Sequence, residues 1–153
     1  MPFILTAQRT NENAFTEYRR YLTSSVKNFP PHAYALANSD WYFDFSEKSP
    51  HDARLLSCTI EESTYFNQGI APKIKVKLLN ASDTGHIEFE YPEVYSYSLN
   101  YSGSSSGHMD WRYDEIRVSD DGHAIHEIEW WGPIETGRWI IEASDVLYKW
   151  SAK

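Results

Sequence analysis

Two short segments, "KIKVKLL" at residues 73–79 and "HIEFEY" at residues 86–91, place an apolar side chain at every second position for their whole length. Side chains alternate between faces only in an extended strand, so this period of two fits a strand with one face buried and the other in water. The intervening Asn80, Ser82, Asp83 and Gly85 supply turn chemistry. Folding the hairpin about Ser82-Asp83 sets Lys77 beside Glu88 and Lys75 beside Glu90. Such a solvated face is worth about 0.2–1 kcal/mol per cross-strand pair. The chain must therefore build an antiparallel sheet.

A second hairpin, "YDEIRVSDDGHAIHEIEWW", admits two registers that bury different residues. A two-residue Asp121-Gly122 turn would put Ile116 and Val118 on the same face as Glu127 and Glu129. A three-residue Asp120-Asp121-Gly122 loop, with Gly122 left-handed, instead gathers Ile116, Val118, Ala124, His126, Ile128 and Trp130 on one side. A slip of one residue turns half of that set to water, so the second register is expected. Glu115, Arg117, Ile125, Glu127, Glu129 and Trp131 then share the outer face.

The rest of the chain supports the same class. Ala14, Phe15, Tyr18, Tyr21, Leu22 and Val26 recur at helical spacing, which predicts a helix over residues 11–27, capped by Asn11 or Asn13 and stopped by Pro30-Pro31. Residues 32–38 read as a further helical turn. Residues 41–45, "WYFDF", read as a strand, and Leu56, Cys58 and Ile60 as the buried side of the next. Residues 138–142 and 146–150, joined by Ala143-Ser144-Asp145, read as a continued meander. The Ser/Gly stretch 102–107 reads as a mobile loop. The expected fold is α+β: an N-terminal helix packed on a strongly curved, mostly antiparallel sheet or open barrel of about eight strands, within one domain spanning 1–153, its β-rich part covering about 41–150.

Charge and cysteine content narrow the function classes. Against 22 acidic residues stand 14 basic ones, a net charge of -8 that repels a phosphate backbone, so no nucleic-acid partner is expected. No apolar run is long enough for a membrane span, and Met1-Pro2-Phe3-Ile4-Leu5 reaches Gln8-Arg9-Thr10 too soon for a signal core. A single Cys58 suits a reducing compartment, so the cytoplasm is expected. An acidic surface does steer a basic protein partner.

The candidates for chemistry are few. His51-Asp52 would be a metal pair in a helical phosphohydrolase, but here it precedes a strand, and turn formation by the Asp52 carboxylate with His51 capping or packing at the sheet rim is the expected role. His108, with Asp110 nearby, and His123 and His126 lack the spacing of a ligand set, and no cofactor is expected. Ser57 and Cys58 lie inside a strand with no elbow to expose them. Adjacent Trp130 and Trp131 must point to opposite faces, which leaves an indole beside Glu115, Glu127 and Glu129, either covered by the N-terminal helix or a loop or serving as an anchor for a partner.

The succession "WYFDF", "SPHDARLLSCTI", "KIKVKLL", "HIEFEYPEV", "DEIRVSDDGHAIHEIEW" and "GRWIIEASDVLY" resembles a class of small bacterial proteins, uncharacterised, some of them similar to immunity proteins encoded beside toxins. That resemblance implies a non-enzymatic cytosolic protein that neutralises a basic toxin by surface complementarity. The expected contact residues are Glu115, Glu127, Glu129 and Trp131, with Asp110 and Asp114 beside them. The alternative is a small metal-dependent hydrolase or ligand-binding domain using His51, Asp52 and His108. The oligomeric state is left open.

Overall fold

The computed structural model describes residues 3, 13–62, 64–65, 68–69, 71–101, 107–131 and 137–153. Helix α1 (Ala14–Ser25) runs into a 3-10 turn (Val26–Asn28) and is followed by α2 (Pro31–Ala37), which begins on a proline where no main-chain donor is needed. Among the described residues ten strands follow: β1 (Arg54–Glu61), β2 (Thr64–Tyr65), β3 (Gln68–Gly69), β4 (Lys73–Leu79), β5 (Gly85–Tyr91), β6 (Val94–Leu99), β7 (Asp110–Val118), β8 (Ala124–Trp131), β9 (Gly137–Ala143) and β10 (Leu147–Ala152). Eight form one antiparallel sheet in the order β10-β5-β4-β1-β7-β8-β9-β6, while β2 and β3 pair separately. The architecture is α+β, with helices on an open sheet.

Both hairpins adopt the expected registers. Lys75 faces Glu90 and Lys77 faces Glu88. Val118 faces Ala124, Ile116 faces His126, and Ser119 accepts the turn bond from Gly122. Gly122 sits at φ +81°, a left-handed conformation that costs other L-residues about 1–2 kcal/mol.

The sheet bends back on itself. β1 and β7 meet only at Arg54 and Asp110, and β-bulges at Leu55/Ser57, Val94/Ser96 and Trp111/Tyr113 turn the strands there and at the β5-to-β6 corner. The two halves thereby face each other. Phe89 of β5 stacks on Trp111 of β7 at 5.2 Å and packs against His126 of β8 at 5.4 Å. Ile74, Val76, Leu78, Ile87, Ile128, Trp130, Trp139 and Ile141 fill the same core. Where β7 parts from β1, its free edge is covered by α1: the Tyr18 hydroxyl donates to Ile116 O at 2.7 Å and accepts from Ile116 N, and Val118 N donates to the Tyr21 hydroxyl. Burial holds the Tyr18 hydroxyl well above its usual pKa, so it remains a donor.

Three expectations are corrected. Residues 41–45 form turns, tied by Asp44 N to Trp41 O, because Trp41, Tyr42 and Phe43 all turn their rings onto the core, where alternation along a strand would send neighbours to opposite faces. Of the expected buried set in β1, Leu56 is 51% exposed and Ile60 42%, and Cys58 is only half-buried; the bulge at Leu55/Ser57 passes the inward position from Leu56 to Leu55. Finally, β10 leaves the meander and pairs with β5. Asp145 holds that corner by accepting from His32 N, Ala33 N and Val146 N, which caps α2 and turns the chain together. Of the Ser/Gly stretch, residues 102–106 lie outside the described residues, as does Asn11.

Candidate functional site

The expected outer face of β7 and β8 has the right residues on the right side, but it is not a surface. Glu115 is 0% exposed, Glu127 7% and Glu129 6%. Phe3 lies over this face, its main-chain N–H 3.0 Å from both Glu115 oxygens and its ring against Tyr18 and Tyr21. Beneath it Arg117 reaches Glu127 at 2.6 Å and Glu115 at 3.1 Å, and Arg138 reaches the other Glu127 oxygen at 2.7 Å. Burial alone would lower the Arg117 pKa, but these carboxylates outweigh it and raise it. The carboxylates that were expected to meet a partner are thus engaged internally.

Asp114 lies on the opposite, inner face and is also buried. Its oxygens receive the Tyr42 hydroxyl at 2.5 Å, Trp111 Nε1 at 3.1 Å and His126 Nε2 at 2.7 Å. His126 Nδ1 meets the Tyr91 hydroxyl at 2.7 Å. Burial first, then the nearby Asp114 charge, raises the Tyr42 and Tyr91 pKa values well above the ordinary range, so both phenols keep their protons. The direction of the Tyr91–His126 bond follows the tautomer of the ring. This chain of polar groups has the members of a catalytic relay; its His126 is fully enclosed, while Tyr42 and Asp114 line the cavity beside His51. It ties the loop before β1 to the middle of the core.

The remaining two residues stay near the surface. Trp131 is 38% exposed, with the Arg112 guanidinium 5.5 Å from its ring and 5.6 Å from Tyr113. Asp110 is half-buried at the start of β7, facing Trp131 across the ladder.

His51-Asp52 forms the joint between the two halves of the sheet. Asp52 takes φ +62°, which an aspartate tolerates better than most residues. Its N–H donates to Trp111 O at 2.8 Å, and Trp111 N–H returns a bond to Ala53 O at 2.9 Å. The Asp52 carboxylate lies 3.2 Å from His51 Nδ1 and 3.7 Å from Arg112. His51 lines a cavity of about 210 Å³ whose walls include Phe15, Phe43, Phe45 and Tyr113. His108 sits elsewhere, against Trp130 and Trp139, both at 5.2 Å, and its burial lowers its pKa. His51, Asp52 and His108 do not converge on one cavity. Among the described residues no group of three or more His, Cys, Asp or Glu could hold a metal ion.

An exposed aromatic flanked in sequence by carboxylates does exist, in the turn after α2, its ring 4.7 Å from that of His51. Phe45 is 82% exposed, between exposed Asp44 and Glu47 and close in sequence to exposed Asp40. The turn that carries it is fixed by buried anchors: Tyr42 on Asp114, and Ser49 Oγ donating to Tyr42 O at 2.8 Å. The available signal was the wedge of charged residues in "SDWYFDFSEK", which a central strand would not accommodate. Comparisons with family models, with curated proteins and with solved structures found no match.

Proposed function

We propose that this protein is a non-enzymatic binding protein of the toxin-neutralising immunity kind, acting in the cytoplasm, which captures a basic protein through the Phe45 turn. The observation that carries the reading is Phe45 itself, a large apolar ring 82% exposed between Asp44 and Glu47. Rigid aromatic anchors surrounded by polar groups are the usual centres of binding energy at protein interfaces. The net charge of -8 supports a basic partner by long-range attraction, and the carboxylates beside Phe45 supply local complementarity. The segment resemblance to immunity proteins supports the same class. The contact residues are therefore reassigned from the buried Glu115, Glu127 and Glu129 to Phe45, Asp44 and Glu47.

The test is affinity capture from the native host at low salt, run in parallel with the wild type, Phe45→Ala and an Asp44→Lys/Glu47→Lys double variant. One basic protein retained in stoichiometric amount by the wild type, released by salt and lost from both variants, is the expected result. Equal retention by all three proteins rejects the Phe45 surface.

A second reading, a small-ligand domain, rests on the cavity beside His51. It predicts saturable binding that a His51→Ala change weakens while the Phe45→Ala protein still captures no partner.

A further inference from the structure

The sheet has two terminal strands, β10 and β6, and their chemistry differs. An edge strand presents unpaired main-chain groups that invite another strand, and charged residues on it discourage that. β10 carries exposed Lys149 and is followed by Lys153, which pairs with Asp83 at 2.5 Å. β6, "VYSYSL", has no charged residue, and neither does the chain from Val94 to Gly107. Tyr95, Ser96, Tyr97 and Ser98 are exposed in succession.

The direction of the free main-chain groups follows from the ladder. Asn100 N donates to Arg138 O of β9 at 3.2 Å. Alternation along the strand then turns Ser98 toward β9 as well, and turns the N–H and C=O groups of Tyr97 and Leu99 outward. Among the described residues these outward groups have no strand beside them.

We infer that β6 is a self-pairing edge through which two copies of this chain join antiparallel about a two-fold axis at Ser98. In that register Tyr97 of one copy faces Leu99 of the other and exchanges both main-chain bonds with it. Ser98 faces Ser98, and Ser96 faces Asn100. An aromatic ring thus meets an aliphatic side chain on one face, and small hydroxyl groups meet on the other, with Ile140 exposed beside Ser98 in each copy. Charge selects the occupant. Two chains of net charge -8 repel over most of their surface, but residues 94–100 carry no charge, so the paired edges bring no like charges into register; the carboxylates of Glu93 and Glu142 lie at one end of the strand, away from the axis at Ser98. One strand is a small interface, so the dimer forms reversibly with rising concentration. The two-fold axis makes it closed.

Sedimentation across micromolar to millimolar chain concentration tests this on the intact protein, with Ser98→Lys as the variant. Ser98 is exposed and its main-chain groups already serve β9, so the substitution leaves the monomer folded while placing two ammonium groups face to face at the axis. The expected result is a doubling of mass for the wild type and a single-chain mass for Ser98→Lys, with an unchanged circular dichroism spectrum. A wild type that stays at single-chain mass throughout overturns the inference, as does a Ser98→Lys protein that dimerises equally well. Amide exchange on the wild type is a second reading that needs no variant. Tyr97 and Leu99 amides must slow as concentration rises, and rates independent of concentration reject the pairing. The Phe45 surface is not involved, so capture by the Phe45 variants reports on that reading separately.

Discussion

Arg117 Nη2 lies 2.6 Å from Glu127 Oε1, with both side chains buried beneath Phe3. A charge removed from such a pair leaves its partner uncompensated where water cannot replace it, so the pair is sensitive to truncation whatever its net contribution. Glu127→Gln should cost about 3 kcal/mol, and Glu127→Lys, which sets a third cation beside Arg117 and Arg138, should prevent folding. The exposed pair Lys153 and Asp83 is the control, since Asp83→Asn should cost less than about 1 kcal/mol. Urea denaturation of the three variants checks this. Equal midpoints for Glu127→Gln and the wild type would mean that the face is open to water after all.

The Tyr42 hydroxyl donates to Asp114 at 2.5 Å and keeps its proton because burial raises its pKa. Tyr42→Phe removes one donor from a buried carboxylate and preserves ring packing, so a loss of about 1–3 kcal/mol is expected. The Phe45 turn should loosen in step, because Tyr42 is its anchor. Amide exchange at residues 43–47 that stays as slow as in the wild type would separate the turn from the polar chain.

His108 gives the protein a pH dependence of definite sign. Burial against Trp130 and Trp139 lowers its pKa below the ordinary 6.5, so the unfolded chain binds this proton more readily than the folded one. Its contribution is fully present above pH 6.5 and is lost as the pH falls through the lowered folded value. His108→Gln should therefore flatten the slope of stability against pH between 6.5 and that lowered value, measured by urea midpoints at a series of pH values. An unchanged slope would assign the acid sensitivity to other groups.

Periodicity and turn chemistry are local, and whatever depended on them was legible before any coordinates. The alternation in residues 73–91 sets which side chains share a face, and the need to keep Ile116, Val118, His126 and Ile128 together selects the three-residue turn at Gly122. Helix α1 follows from its spacing in the same way, and the class of the fold follows from the sum.

Only the tertiary structure decided what lies against each face. A strand pattern says that Glu115, Glu127 and Glu129 point together, but their burial depends on Phe3, 112 residues from Glu115 in sequence. The same holds for β10, whose pairing with β5 rests on a corner held by Asp145, and for the aromatic run 41–45, which turns because Tyr42 finds Asp114 from 72 residues away. Phe45 is left in water as a consequence. Side-chain alternation is a property of neighbouring peptide units, whereas burial is a property of whichever distant segment comes to lie on top.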